Sequence, residues 1–139
     1  MVMEMEIKIF TPAKANEALA EVKGLLAELR RVRRAIQSKE IDIDVAMILA
    51  SEDGKQMQRP ASPTVTGDVD EFNILVEEFH RVAKRFGDLG CELKDVDKGL
   101  VDFYSLRDGN LVYLCWMEGE EKIAHWHTLE DGFAGRQPL

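Results

Sequence analysis

Residues 99–129, "GLVDFYSLRDGNLVYLCWMEGEEKIAHWHTL", decide the fold. Aromatic and β-branched residues alternate with polar ones on both sides of Asp108-Gly109, a dipeptide suited to the positive backbone angles of a two-residue hairpin loop. Gly119-Glu120 offers a second loop of this kind. The stretch reads as an antiparallel β-meander. A short strand at "CELKDV" (91–96) extends it upstream, and "EIKIF" (6–10) adds an edge strand.

Tight loops set register, and register decides which side chains share a face. A loop at Asp108-Gly109 pairs Arg107 with Asn110, Ser105 with Val112, Phe103 with Leu114 and Val101 with Trp116. A loop at Gly119-Glu120 then pairs Trp116 with Ile123, Leu114 with His125 and Val112 with His127. One predicted face holds Val101, Phe103, Ser105, Val112, Leu114, Trp116, Ile123, His125 and His127. The other holds Asp102, Tyr104, Leu106, Leu111, Tyr113, Cys115, Met117, Ala124 and Trp126.

Both faces are rich in large apolar groups, whereas the chain supplies one layer of helices. Tyr104, Tyr113 and Trp126 are therefore expected to form an uncovered aromatic patch, and such patches mark interfaces. A homodimer, most simply two-fold, is the expectation.

His125 and His127 share a face in any register, because side chains repeat every two residues along a strand. Two readings stand. In one they bind a divalent metal, with Glu130 or Asp131 just past the strand as a third ligand. In the other they are half-buried residues with ring nitrogens bonded to backbone or to Ser105. A polar pocket for an anion or substrate is a further use of the same groups. In the register above Asp102 points away from both histidines, and Cys115 faces away from His127, which removes a thiol–imidazole nucleophile. His80 stands on the polar side of a helix beside Glu77 and Glu78.

Helical patterning fills most of residues 12–88. Thr11 is a natural N-cap and Pro12 suits the first helical position. Ala18, Val22, Leu25, Leu29, Val32 and Ile36 then recur at alternating spacings of four and three, an apolar stripe widened by Leu19 and Leu26. Phe72, Leu75, Phe79, Val82 and Phe86 form a second stripe, with Asp68 or Asp70 as its cap and Gly87 or Gly90 as its end. "IDIDVAMILA" (41–50) alternates like a strand at Ile41, Ile43 and Val45, yet Val45, Ile48 and Leu49 suit a helix, and it reads as a helix of its own or a continuation of the first. "SEDGKQMQRPASPTVTGD" (51–68) reads as an exposed loop. The fold class is thus α+β: a long antiparallel helical hairpin (about 12–88) on one face of a small β-meander sheet (about 91–129), followed by a C-terminal tail (130–139), in a single domain.

In the tail "LEDGFAGRQPL" Gly132 and Gly135 bracket one aromatic residue, Phe133, and one guanidinium, Arg136, follows. Arg136 suits a carboxylate or phosphate ligand. Its plainer use is to meet one of the chain's own carboxylates while Phe133 fills a groove.

The bulk numbers bound the function. At 139 residues, 45% hydrophobic and 32% charged, the chain is of ordinary globular size and composition. No apolar run approaches the roughly 18 residues of a membrane span, and the N-terminus lacks the regions of a secretory signal. Cys91 and Cys115 are too few for a disulfide framework, so a cytoplasmic protein is expected. A net charge of −8 opposes phosphate backbones and makes nucleic acid an unfavourable partner. The local exception "LRRVRR" spreads Arg30, Arg31, Arg33 and Arg34 around a helix and reads as a solvated, ion-paired surface.

Several segments resemble an uncharacterised prokaryotic family, domain of unknown function 2203. "GLVDF", "LCW", "GE", "WH" and "GFAGR" are the most specific, and "IFTPAKANEALAEVKGLLAELRRVRRAI" is similar to the family's first helix. The connection from about Ile41 to Val69 fits poorly. The family has no assigned activity. What the resemblance implies is a site at the polar members of those segments, Asp102, Glu120, His127 and Arg136, with "WH" more typical than His125. No phosphate loop, HExxH, nucleophile elbow or paired-cysteine motif is present. The reading is therefore a small binding or interaction module that self-associates, with no cofactor beyond a divalent metal. The alternative is a metal- or anion-dependent enzyme around His127, Arg136 and a nearby carboxylate.

Overall fold

A computed structural model describes residues 7–52 and 63–139, and the loop expected within 51–68 lies largely outside these. The chain forms two helices and a five-stranded antiparallel sheet, which makes the fold α+β as expected. Helix α1 spans Pro12–Glu52, so "IDIDVAMILA" does continue it. Thr11 caps its start, Oγ1 accepting from the Lys14 amide at 3.2 Å. Helix α2 spans Pro63–Leu89 and begins ahead of the predicted caps Asp68 and Asp70. Pro63, with φ preset for the first helical position, starts it, and Gly67 is carried inside. Gly90, at φ 104°, ends it, as the pattern indicates.

Two compact units make up the chain, one of residues up to Ala27 with Ala83–Leu139, the other Glu28–Val82. The second is a stretch of helical hairpin. Among its described residues Leu29, Val32 and Val82 are the buried apolar ones. Arg31 of α1 meets Glu78 of α2 at 3.1 Å, and Lys39 lies 2.6 Å from Glu71 and 3.3 Å from Asp68. Arg31 of "LRRVRR" thus takes part in an ion pair between the helices.

In the first unit the sheet runs β1 (Cys91–Asp95), β2 (Leu100–Arg107), β3 (Asn110–Met117), β4 (His125–Thr128) and β5 (Gln137–Pro138) in sequential order, a meander. Residues 7–10 form no strand, contrary to expectation. Phe10 makes a single backbone bond there, donating to the Tyr104 carbonyl at 2.7 Å. The tail does form one, because Leu139 N–H reaches the Ala124 carbonyl at 2.9 Å and β5 pairs with β4.

The β2–β3 register is the predicted one, Arg107 to Asn110 through Val101 to Trp116. Asp108 (φ 52°) and Gly109 (φ 80°) supply the two positive angles of its loop. Val101, Phe103, Val112, Leu114 and Trp116 are buried on the face that meets Phe10 and the first turns of α1.

The β3–β4 register differs by one residue. His125 pairs with Cys115, Trp126 with Leu114 and His127 with Tyr113, not His125 with Leu114. The turn centres on Glu118-Gly119, with the Glu120 amide donating to the Met117 carbonyl and Gly119 at φ 103°. Residues 120–124 then leave the ladder. Ile123, 2% exposed, sinks into the core, and its amide donates to Asn16 Oδ1 on α1 at 2.7 Å. That helix contact adds the odd residue, and every side chain of β4 changes face.

Candidate functional site

The slip brings together groups the sequence had separated. His125 and His127 now share a face with Asp102, Tyr113 and Cys115, while Trp126 joins Leu114 on the other. Asp102 and Cys115 are direct cross-strand partners, and His127 lies one diagonal step from Cys115 on the next strand. All three are buried, at 4%, 1% and 2% exposure.

His127 is held at both ring nitrogens. Nδ1 lies 2.7 Å from the Thr128 carbonyl, which can only accept, so Nδ1 carries a hydrogen. Nε2 lies 3.1 Å from Asp102 Oδ2. A hydrogen bond there requires one proton between imidazole and carboxylate, and with it the pair has no net charge. Burial pushes the Asp102 carboxyl above its ordinary value, with the adjacent His127 and the Cys115 hydrogen bond opposing. Burial also pushes the Cys115 thiol up to about 12. The Tyr113 ring packs 5.3 Å from the imidazole.

These three polar groups floor a cavity of about 200 Å³. Leu100, Tyr113, Leu129 and Phe133 form its walls, with Lys94 at the rim. Typical sites for drug-sized ligands occupy about 300–1,000 Å³, so this one suits a compact occupant.

The other expected ligand groups form a separate cluster that fastens the tail. Arg136 Nη2 lies 2.6 and 2.8 Å from the two Glu120 oxygens and donates to His125 Nδ1 at 2.7 Å. The guanidinium stacks 4.7 Å from the Phe133 ring, which lies over the cavity. Arg136 Nε is buried without a hydrogen-bond partner. Glu120 also accepts from the Met117 amide at 2.6 Å, which stitches the turn to the tail. Of the four residues implied by the resemblance, Asp102 and His127 line the cavity and Glu120 and Arg136 hold its cover.

The candidate metal set His125, His127 and Glu130 is not assembled. His125 is engaged by Arg136, Glu130 is exposed, and the cluster of three metal-type donors among the described residues is Asp102, Cys115 and His127. Sequence reasoning missed Cys115 as a site residue. The signal was present, because the first hairpin already puts Cys115 opposite Asp102. His80 is exposed on α2.

The three aromatic residues expected to share one face do not. The Tyr104 and Tyr113 hydroxyls lie 3.1 Å apart, beside Glu92, and Tyr113 is buried. Trp126 occupies the opposite face, under the Arg107 guanidinium at 4.6 Å.

Among the described residues no helix is long and apolar enough to cross a membrane. Comparison with curated proteins and with solved structures returned no match. The family model for an uncharacterized conserved protein, DUF2203, matches residues 8–139, taking in both helices, the whole sheet and the tail. The chain belongs to that family.

Proposed function

We propose that this chain is a small-ligand-binding module whose working surface is the sheet face covered by the C-terminal tail. One observation carries the reading: a buried carboxylate, imidazole and thiol floor a cavity that the rest of that face surrounds with apolar side chains. Burying polar groups is costly unless they are used or satisfied, and a concave apolar wall with a few convergent polar groups is the usual form of a ligand site. Arg136 is committed to Glu120, so in this reading it fixes the cover and meets no ligand. A free thiol in the site suits a reducing compartment, and we assign the module to the cytoplasm on that ground.

Amide spectra of the labelled chain, recorded with imidazole, acetate, benzoate and phenol at millimolar concentration, test this. Shifts are expected at Lys94, Tyr113, Cys115 and Gly132 with at least one probe. They should vanish in Leu129→Trp, whose side chain enters the cavity from its rim. No shift with any probe, or shifts confined to the helical hairpin, overturn the reading.

Self-association is a second reading, supported on a different surface from the aromatic one. Ile41, Val45 and Ile48, 62%, 49% and 60% exposed, recur on one side of α1. A second copy packed two-fold against this run would bury its apolar side chains. Sedimentation should give a dimer at micromolar concentration that Ile48→Asp dissociates. A monomeric wild-type chain overturns it.

A further inference from the structure

We propose that Asp102, Cys115 and His127 bind one divalent transition-metal ion through a carboxylate oxygen, Sγ and Nε2, leaving a fourth position open to the cavity. The inference deepens the ligand-site reading and rests on it.

Geometry is the first support. The three donor atoms lie within 4.8 Å of one another. Zinc-type bonds of about 2.0–2.3 Å place ligand atoms roughly 3.3–3.8 Å apart in a tetrahedron, so closing on an ion needs movements of about 1 Å or less. The donors sit on three adjacent, hydrogen-bonded strands, which hold a ligand set more firmly than loops do.

Orientation is the second. His127 donates Nδ1–H to the Thr128 carbonyl and so presents Nε2 to the site. Metal-bound histidines are commonly held this way, their second ring nitrogen tied to a backbone or carboxylate oxygen.

Charge is the third. Without metal, the site holds the proton shared by Asp102 and His127 and the thiol proton of Cys115, and is neutral overall. With a dication, a thiolate, a carboxylate and a neutral imidazole, it is neutral again. Two protons leave to solvent as one divalent ion enters, and no net charge is buried in either state.

Donor chemistry selects the ion. A thiolate and an imidazole favour zinc or a similar borderline ion over magnesium or calcium, which take oxygen ligands. Three protein ligands with an open fourth position are the arrangement of zinc sites that polarise a bound water or carbonyl, whereas structural zinc sites are closed. The open side here faces Leu100, Tyr113 and Phe133, so the further ligand would be water or the oxygen of a small, partly apolar molecule.

The test is titration of the untagged, reduced and chelator-treated full chain with cobalt and then zinc. About one ion per chain is expected, with a thiolate-to-cobalt charge-transfer band and the intense visible absorption of tetrahedral cobalt, both abolished by zinc. Cys115→Ser should lose the charge-transfer band, and Asp102→Asn and His127→Gln should weaken binding by more than about a hundredfold, the upper end of what outer-shell changes cost. Cys91→Ala should keep the band, because Cys91 lies outside the cluster. If a variant fails to fold, the wild-type chain and Cys91→Ala decide, since Cys115 is then the remaining thiol that can give the band. No band in the wild type, no band in Cys91→Ala, or a band that survives Cys115→Ser overturns the metal site. Cavity shifts with the organic probes in that event leave the ligand-site reading standing, and loss of both overturns both.

Discussion

Asp102→Ala in the metal-free protein is expected to lower stability by about 3 kcal/mol, the low end of the about 3–5 kcal/mol for stripping one partner from a buried charged pair. Asp102 and His127 are 4% and 2% exposed, so little bulk water reaches either. Removing the carboxylate leaves Nε2 with no acceptor or donor opposite it, while Nδ1 remains tied to Thr128. The cavity above the pair can admit water, which keeps the cost at the low end. At roughly 2–8 °C per kcal/mol, the midpoint of thermal unfolding should fall by about 10 °C. An Asp102→Leu/His127→Leu double variant removes both polar groups and should recover much of that loss, since apolar replacement of a buried pair is often neutral. If the single variant costs under 1 kcal/mol, the two side chains are not coupled as the geometry requires. If the double variant is as stable as the wild type, the pair is dispensable for folding, which strengthens the case that it is kept for binding.

The second large effect is expected at Glu120. Glu120→Ala takes the carboxylate from Arg136, whose side chain is 12% exposed, and the acceptor from the Met117 amide. Hydrogen bonds to charged groups contribute about 1.5–3 kcal/mol each, and an uncompensated buried cation adds to the loss, so about 3 kcal/mol is expected. The loss should be local before it is global. Hydrogen exchange at the Leu139 amide, which pairs with Ala124, should accelerate at least tenfold as the tail detaches. Arg31→Ala is the comparison. Its ion pair with Glu78 has an arginine side chain 58% exposed, and it should cost no more than about 1 kcal/mol. Equal effects of the two substitutions, or unchanged exchange at Leu139, would show that Glu120 does not fasten the tail.

Both expectations turn on one register. The hairpin at Asp108-Gly109 was legible because two residues supply two positive backbone angles, and nothing outside the hairpin is needed to set its pairing. The α1 cap at Thr11, the helical reading of residues 41–50 and the apolar face of β2 and β3 were legible for the same reason: each depends on neighbours within a few residues. Asp102 opposite Cys115 followed directly. His127 did not. The second connection looked like a two-residue loop at Gly119-Glu120, but Ile123 is drawn into the core and its amide is taken by Asn16, more than a hundred residues upstream. A side-chain oxygen on a helix thereby decides the phase of a strand.

By itself, then, the chain's local patterning determined two helices, a sequential antiparallel sheet and a strand with its two imidazoles on one side and Trp126 on the other, because hydrogen bonding and side-chain period act over short range. Which side those imidazoles face was settled only by the tertiary contact between Ile123 and α1. A strand's alternation is indifferent to a shift of one residue, whereas burying Ile123 and satisfying its amide against the helix is not.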